Sequence, residues 1–366
     1  MNHIFLDNAA TTPICEAAKQ VILENLDNFY NPSSSYENAR QIKVKIEEAR
    51  EKIASIINAK PDEIYFTSGG SESNTWAMCR KISIASNIEH SSLNSNFIFN
   101  VQPSGIVDLK LFENKVKFIN NKTQLDIASC RTLNNEIGTI QPIKELCEIT
   151  HSNGILFHTD AVQAIGHIPI DVKELGVDMM SGSAHKFGGI KGCGFLYIKN
   201  GKKMPNLIRG GKQERGMRPG TENVIGILAM AAALEWSVNN MSAHDAKITY
   251  LSSILKENLL NIKGVHLNGT GTENIRYYGN LNLRIDGVKG SDIVAMADQF
   301  RICISAGSAC HEGNAQPSHV LKAIGLTDEE SLSSIRITLG PQNTEEEINY
   351  VCNLFPKIID RLRKVG

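Results

Sequence analysis

Apolar side chains at Ala39, Ile42, Ile46, Ala49, Ile53 and Ile56 recur every three or four residues. That spacing gathers them on one face of a helix over 36–57, and Ser33 to Ser35 are placed to cap its start. Beyond it the pattern changes. Short apolar or β-branched runs at 64–67, 82–85, 125–128, 155–158, 179–181 and 194–198 alternate with helical stretches. Near-continuous apolar strands between helices predict a parallel or mostly parallel sheet covered on both faces. A long helical region from about 223 to 260 is expected to lead out of this domain. After it, 265–268, 280–285, 302–305 and 334–339 read as strands. About 290–300, 316–324 and 344–364 read as helices, giving an α+β unit with its own core. The boundary is placed near residue 243. Ile4 to Leu6 are too few to stand alone and are expected to pack beside this second unit.

In parallel sheets, ligands sit at the carboxyl ends of the strands, and the polar motifs of this chain fall there. Thr67 to Asn74 follows a strand and opens a helix, with Gly69-Gly70-Ser71 at the turn. Such a turn suits a phosphate, although a Gly-Gly turn with a serine cap is the commoner case. Ile88-Glu89-His90 and Asn134-Asn135-Glu136-Ile137-Gly138 follow later strands. Taken alone, the first is more often a structural histidine, and the second, though it offers amide donors, also reads as a turn. His158-Thr159-Asp160-Ala161-Val162-Gln163 is sharper, because a carboxylate ending a buried strand is costly unless it faces a cation. A protonated pyridine nitrogen is such a cation. Ser181 to Gly189 then sets Lys186 among small residues beside His185. Desolvated there, a lysine can lose its proton near neutral pH and attack an aldehyde; in a solvated turn it is an ordinary surface lysine.

Composition narrows the class. Hydrophobic residues at 42%, charged residues at 21% and a net charge of −1 describe a globular protein, not a polyanion binder. Arg209, Lys212, Arg215 and Arg218, separated by glycines, read as a phosphate-side loop, and no direct nucleic-acid binding is expected. The 8 cysteines include no C-x-x-C pair, so neither a zinc site nor a disulfide framework is indicated, and most are expected to be small buried hydrophobes. Met1 to Asp7 lacks the cationic and apolar regions of a signal peptide, and no apolar stretch reaches membrane-spanning length. A cytoplasmic location is the expectation.

The chain resembles the cysteine desulfurases of the nitrogen-fixation and iron–sulfur-assembly type, class V aminotransferase-like members of the fold type I pyridoxal phosphate enzymes. The resemblance runs from Leu6-Asp7-Asn8-Ala9-Ala10-Thr11-Thr12-Pro13 to Ser334–Gly340. It passes through Asn134–Gly138, His158–Gln163, Ser183–Lys186, Arg215–Thr221 and Ser305–Cys310. It implies an α/β fold: a large domain (13–243) with a mainly parallel seven-stranded sheet between helices, and a smaller α+β domain (1–12 and 244–366) carrying the Cys310 loop. Lys186 would hold pyridoxal 5'-phosphate as a Schiff base and move the substrate Cα proton. His90 would stack on the ring, Asp160 pair with its nitrogen and Gln163 bond its hydroxyl. Gly70, Ser71, Ser183 and His185 would bind the phosphate beside Ala184, joined by Thr221 from the partner of a homodimer. Asn135 and Arg336 would hold the carboxylate of L-cysteine.

Cys310, in a small-residue run ahead of His311-Glu312, would take the sulfur as a persulfide and pass it to an acceptor protein such as an iron–sulfur scaffold. L-Alanine would be released. A selenocysteine or cysteine lyase needs no such thiol, and a catalytically silent scaffold has no need of Lys186, Asp160, His90 and Cys310 together. Two departures stand out. Family members usually carry a helix of about three turns after the stacking histidine, whereas here Ser91–Asn96 runs straight into a strand-like Phe97–Val101. Ser71 also replaces a common threonine and keeps its hydroxyl. Longer relatives use a C-terminal tail to bind a scaffold, a partner not inferred here.

Overall fold

The computed structural model describes residues 3–79, 81–202, 204–272, 275–306, 310–311 and 314–365, the backbone alone at 310–311, 314–315 and 365. In chain order, the first part comprises β1 (Ile4–Phe5), α1 (Glu16–Asn25), α2 (Glu37–Ile56), β2 (Ile64–Thr67), α3 (Gly70–Met78), β3 (Ser83–Ser86), β4 (Phe97–Phe99), α4 (Leu109–Asn120), β5 (Ile127–Ser129), α5 (Ile143–His151), β6 (Leu156–Asp160), α6 (Val172–Leu175), β7 (Met179–Ser183), β8 (Gly194–Ile198) and α7 (Val224–Asn239). Then come α8 (Met241–Leu260), β9 (Val265–Leu267), β10 (Asn280–Ile285), α9 (Gly290–Gln299), β11 (Ile302–Cys303), β12 (Ser305–Ala306), β13 (Cys310–His311), β14 (Asn314–Ala315), α10 (His319–Ala323), α11 (Asp328–Leu332), β15 (Ser334–Thr338) and α12 (Glu345–Val365).

The main sheet has 7 strands in the order β2-β8-β7-β6-β5-β3-β4. Only β8 runs against its neighbours. Both faces are covered, as the unbroken apolar strands require. Met180, Phe195 and Ala128 pack into one core with α2, α5 and α7. Their chain neighbours Met179, Leu196 and Ile127 point the other way, onto Trp76 and Met78 of α3. A separate apolar cluster joins Leu6 to α8, α9, α12, β10 and β15. In the second half of the chain, Val320, Leu321 and Ile324 pack with the first core instead.

Several elements differ from the sequence reading. The serine cap of α2 does not form: Asn31 takes the Ser33 and Ser34 amides in a turn, and Tyr36 stands at the helix start without a capping bond. The long helical region expected from about 223 to 260 is made of two helices, bent by 67° at Asn240. The Asn240 side chain and amide both return to the Trp236 carbonyl, closing α7. The run at 302–305 divides between two sheets. Ile302 and Cys303 pair in parallel with Ile4 and Phe5, which seats the N-terminus beside the second unit, while Ser305 and Ala306 pair with β15. Among the described residues, no single helix is long and apolar enough to cross a membrane.

One buried ion pair fixes the sheet edge that leads into the phosphate-type turn. The Arg50 guanidinium donates to both Glu214 oxygens at 2.8 Å and to the Ile64 carbonyl, and it lies 4.4 Å from the centre of the Phe66 ring. Glu214 also accepts the Phe66 amide at 2.9 Å. Farther along the same segment, Arg218 clamps Glu72 in the first turn of α3 through two bonds. The 214–218 segment therefore ties α2, β2 and α3 together. Removing one member of a buried pair strands the other. Glu214→Ala is expected to lose about 3–5 kcal/mol in urea unfolding, whereas the paired change Arg50→Met with Glu214→Leu should lose far less.

Candidate active site

The carboxyl ends of β2, β3, β5, β6 and β7 converge on a cavity of about 290 Å3. Each strand contributes at its end: Gly70 and Ser71 after β2, His90 after β3, Asn135 after β5, Asp160 and Gln163 at β6, and Ser183, His185 and Lys186 at β7. Arg336 reaches the same cavity from β15. Ala184 lies beneath it, in the core. Thr221 is exposed ahead of α7 and does not line it. The Cys310 side chain lies outside the described residues; its backbone pairs with Ala315 in a short hairpin. Ala306 and Gln316, just outside that hairpin, line a wider cavity of about 910 Å3 that also holds His90, Asn135 and Arg336.

Lys186 sits in a single turn that follows β7 directly. Burial pulls its ammonium pKa down to about 8, and the Arg336 charge adds to that pull, against Asp160 and Asp7. Its Nζ donates to the Ala9 and Ala10 carbonyls at 2.7 and 2.8 Å. Gln163 Nε2 donates to the same Ala9 carbonyl at 2.8 Å. The segment 7–12 thus crosses from β1 to the lysine, and Thr12 fastens it by donating to the His185 carbonyl at 3.0 Å and accepting the Gly188 amide.

Asp160 is buried, with Oδ1 accepting the Val162 amide and Oδ2 accepting Asn74 Nδ2, each at 3.0 Å. Asn74 also reaches Ser92, whose hydroxyl lies 2.7 Å from His90 Nδ1. Ser92 therefore orients the His90 ring from within the irregular segment between β3 and β4. Burial lowers the His90 pKa and brings that of His185 down to about 4, so both rings are neutral at pH 7. On the opposite wall, Arg336 donates to Asp7 at 2.8 Å and to Ser305 at 3.2 Å, and its Nε has no partner among the described residues.

Sequence reading missed four contributors. Asn74, Arg131 and the Ala9–Ala10 carbonyls all line or cap the cavity, and Asp7 holds Arg336. Arg131 was hidden because it continues the apolar run of β5; an arginine in such a place is itself a signal, since burying it unpaired is costly.

These residues fit pyridoxal phosphate. The first turn of α3 offers amides and a dipole to a phosphate, and Gly69 has φ +147° there. A Cβ at Gly70 would stand 2.7 Å from Val162 Cγ2, so the approach is open only to glycine. The Ser71 and Ser183 hydroxyls and neutral His185 complete that end. Asp160 could face a ring nitrogen, buried Asn74 Oδ1 lacks a partner among the described residues, and Lys186, its pKa lowered to about 8, would supply the amine for the aldehyde.

Comparison with known proteins agrees. Residues 4–351 match the family model described as aminotransferase class V. A cysteine desulfurase IscS of Methanosarcina thermophila is 40% identical, over 99% of this chain and 93% of its own. A NifS-like protein from Rickettsia africae superposes with a TM-score of 0.89 at 31% identity, over 98% of this chain and 100% of that one. The structure described as SspA in complex with cysteine gives 0.78 at 29% identity, over 93% and 100%. With its cofactor cavity built at the strand ends of a sheet of this type, the chain belongs to the class V aminotransferase family, within its cysteine desulfurase group.

Proposed function

We propose that this protein converts L-cysteine to L-alanine with pyridoxal 5'-phosphate and passes the sulfur to Cys310. The observation that carries the reading is the placement of a half-buried, readily deprotonated Lys186 opposite Asp160 in one cavity, in a chain 40% identical to cysteine desulfurases. When bound, the cofactor supplies an electron sink for the pair released at the substrate carbon. Gly70, Ser71, Ser183 and His185 would hold its phosphate beside Ala184, Asp160 its ring nitrogen, Gln163 its hydroxyl and His90 its face. Arg336 and Asn135 bind the substrate carboxylate, for which a planar guanidinium is well shaped. The Lys186 amine takes the Cα proton. The Cys310 thiolate attacks the substrate sulfur: an S–S bond forms, the Cβ–S bond breaks, and the carbon product collects protons to leave as alanine. The rim shared by Ala306, Gln316 and Arg336 supports Cys310 reaching this place.

The same reading makes the protein a cytoplasmic homodimer, with Thr221 completing the partner's phosphate site, and divides it into a large domain at 13–243 and a small one at 1–12 and 244–366. Leu23, Leu26 and Phe29, exposed at 70%, 57% and 81%, are apolar side chains available for such pairing. An iron–sulfur scaffold or similar protein would accept the persulfide sulfur.

Purified protein with cysteine and a reductant should release alanine and sulfide in equal amounts. Cys310→Ala should end sulfide release while keeping the absorbance of the bound cofactor; full turnover in that variant would refute the sulfur step. The pH dependence of cofactor uptake follows from Lys186. Only the free amine attacks the aldehyde, so the rate of uptake by cofactor-free protein should rise with pH, about tenfold per unit below pH 8, and level off above it.

A further inference from the structure

Arg131 is 3% exposed and lies in the cofactor cavity between two buried carboxyls. Its Nη2 is 3.7 Å from Asp160 Oδ2, and its Nε is 3.9 Å from Glu89 Oε2. Neither approach is a hydrogen bond. Among the described residues, Arg131 Nε and Glu89 Oε2 are both without partners, and the side chain's close bond goes from Nη1 to neutral Asn135 Oδ1. Glu89 is held from its other oxygen, Oε1, by the Ser86 hydroxyl and the Arg131 amide. Burial pushes the Glu89 carboxyl pKa up, and the Arg131 charge and these two donors pull against that rise. The guanidinium thus stands off from both carboxylates, and what reaches them from it is its charge.

We propose that Glu89, Arg131 and Asp160 form a buried charge relay in which Arg131 sets how firmly Asp160 keeps a proton on the cofactor's ring nitrogen, and Glu89 sets how much of the Arg131 charge Asp160 feels. Arg131 is thus a positioning residue acting through Asp160. In a medium of low dielectric, a cation 3.7 Å from Asp160 competes for the carboxylate that would otherwise be given wholly to the pyridinium. It favours release of the ring proton, and Glu89, on the far side, offsets that pull. The charged and titratable groups around the relay are Lys186 and His90 in the cavity, His158 on β6, Arg336 and Asp7 across the cleft, and His319, whose Nε2 meets the Glu89 carbonyl at 2.8 Å. His158 is buried between Ser129 and Ser181 and neutral, its pKa lowered to about 4. For Lys186 and His90, burial is the larger influence and Arg131 adds to it in the same direction, toward the neutral form.

The inference rests on the cofactor reading above, and the test separates the two. Holoenzyme is loaded with pyridoxal phosphate labelled with 15N at the ring, and the nitrogen chemical shift is followed against pH. Arg131→Met should move the ring-nitrogen titration up by about one pH unit, and Arg131→Lys should stay near the parent. Glu89→Gln should move it the opposite way. Opposite signs from the two variants are not produced by loosened packing, and circular dichroism confirms that each is folded. A titration unchanged in both folded variants, or moved the same way in both, overturns the relay. Parent protein that takes up no cofactor overturns the cofactor reading itself, and the relay with it.

Discussion

The site depends on the desolvation of one amine. Lys186 follows a strand buried along its whole length, and its half-buried turn aims the ammonium at two backbone carbonyls with the Arg336 charge nearby. A lysine on the surface holds its proton to about pH 10 and is no nucleophile at pH 7. The sheet therefore does more than carry Lys186: placing it at the end of a buried strand partly desolvates the amine, the largest influence lowering its pKa. The same burial keeps His90 and His185 neutral.

Register supplies the rest. Asp160 and Ser181 are paired across β6 and β7, so the carboxylate and the lysine turn leave the sheet on neighbouring strands. Reversal of β8 alone lets β7 and β2 point the same way, which brings the Gly69-Gly70 turn to the cavity that holds Lys186. The N-terminal segment then closes the site from outside. It leaves β1, gives Asp7 to Arg336 and two carbonyls to Lys186, and so links the cluster around β15 with the main sheet.

Much of this was legible in the chain. The sheet could be read from unbroken apolar runs, and Asp160 and Lys186 stood out because a charge ending such a run needs a reason. Strand ends slipped by a residue or two, since β5 starts at Ile127 where the apolar run starts earlier. The serines before α2 failed as caps because Asn31, one proline earlier, builds the turn first. The bend at Asn240 has no proline or glycine to announce it, and the asparagine side chain, bonded back to the Trp236 carbonyl, marks the stop. Arg131 and the Ala9–Ala10 carbonyls were invisible for a different reason. Their partners come from tertiary approach, one across strands and one across more than 170 positions of sequence; the apolar run before Arg131 flags a costly burial but does not name the partner.

The most direct test is a titration of the Lys186 ammonium itself. Cofactor-free protein labelled with 15N at lysine Nζ, compared with Lys186→Arg to assign the resonance, reports its protonation against pH. Desolvation predicts a midpoint near pH 8. A midpoint at the ordinary 10.5 would contradict it.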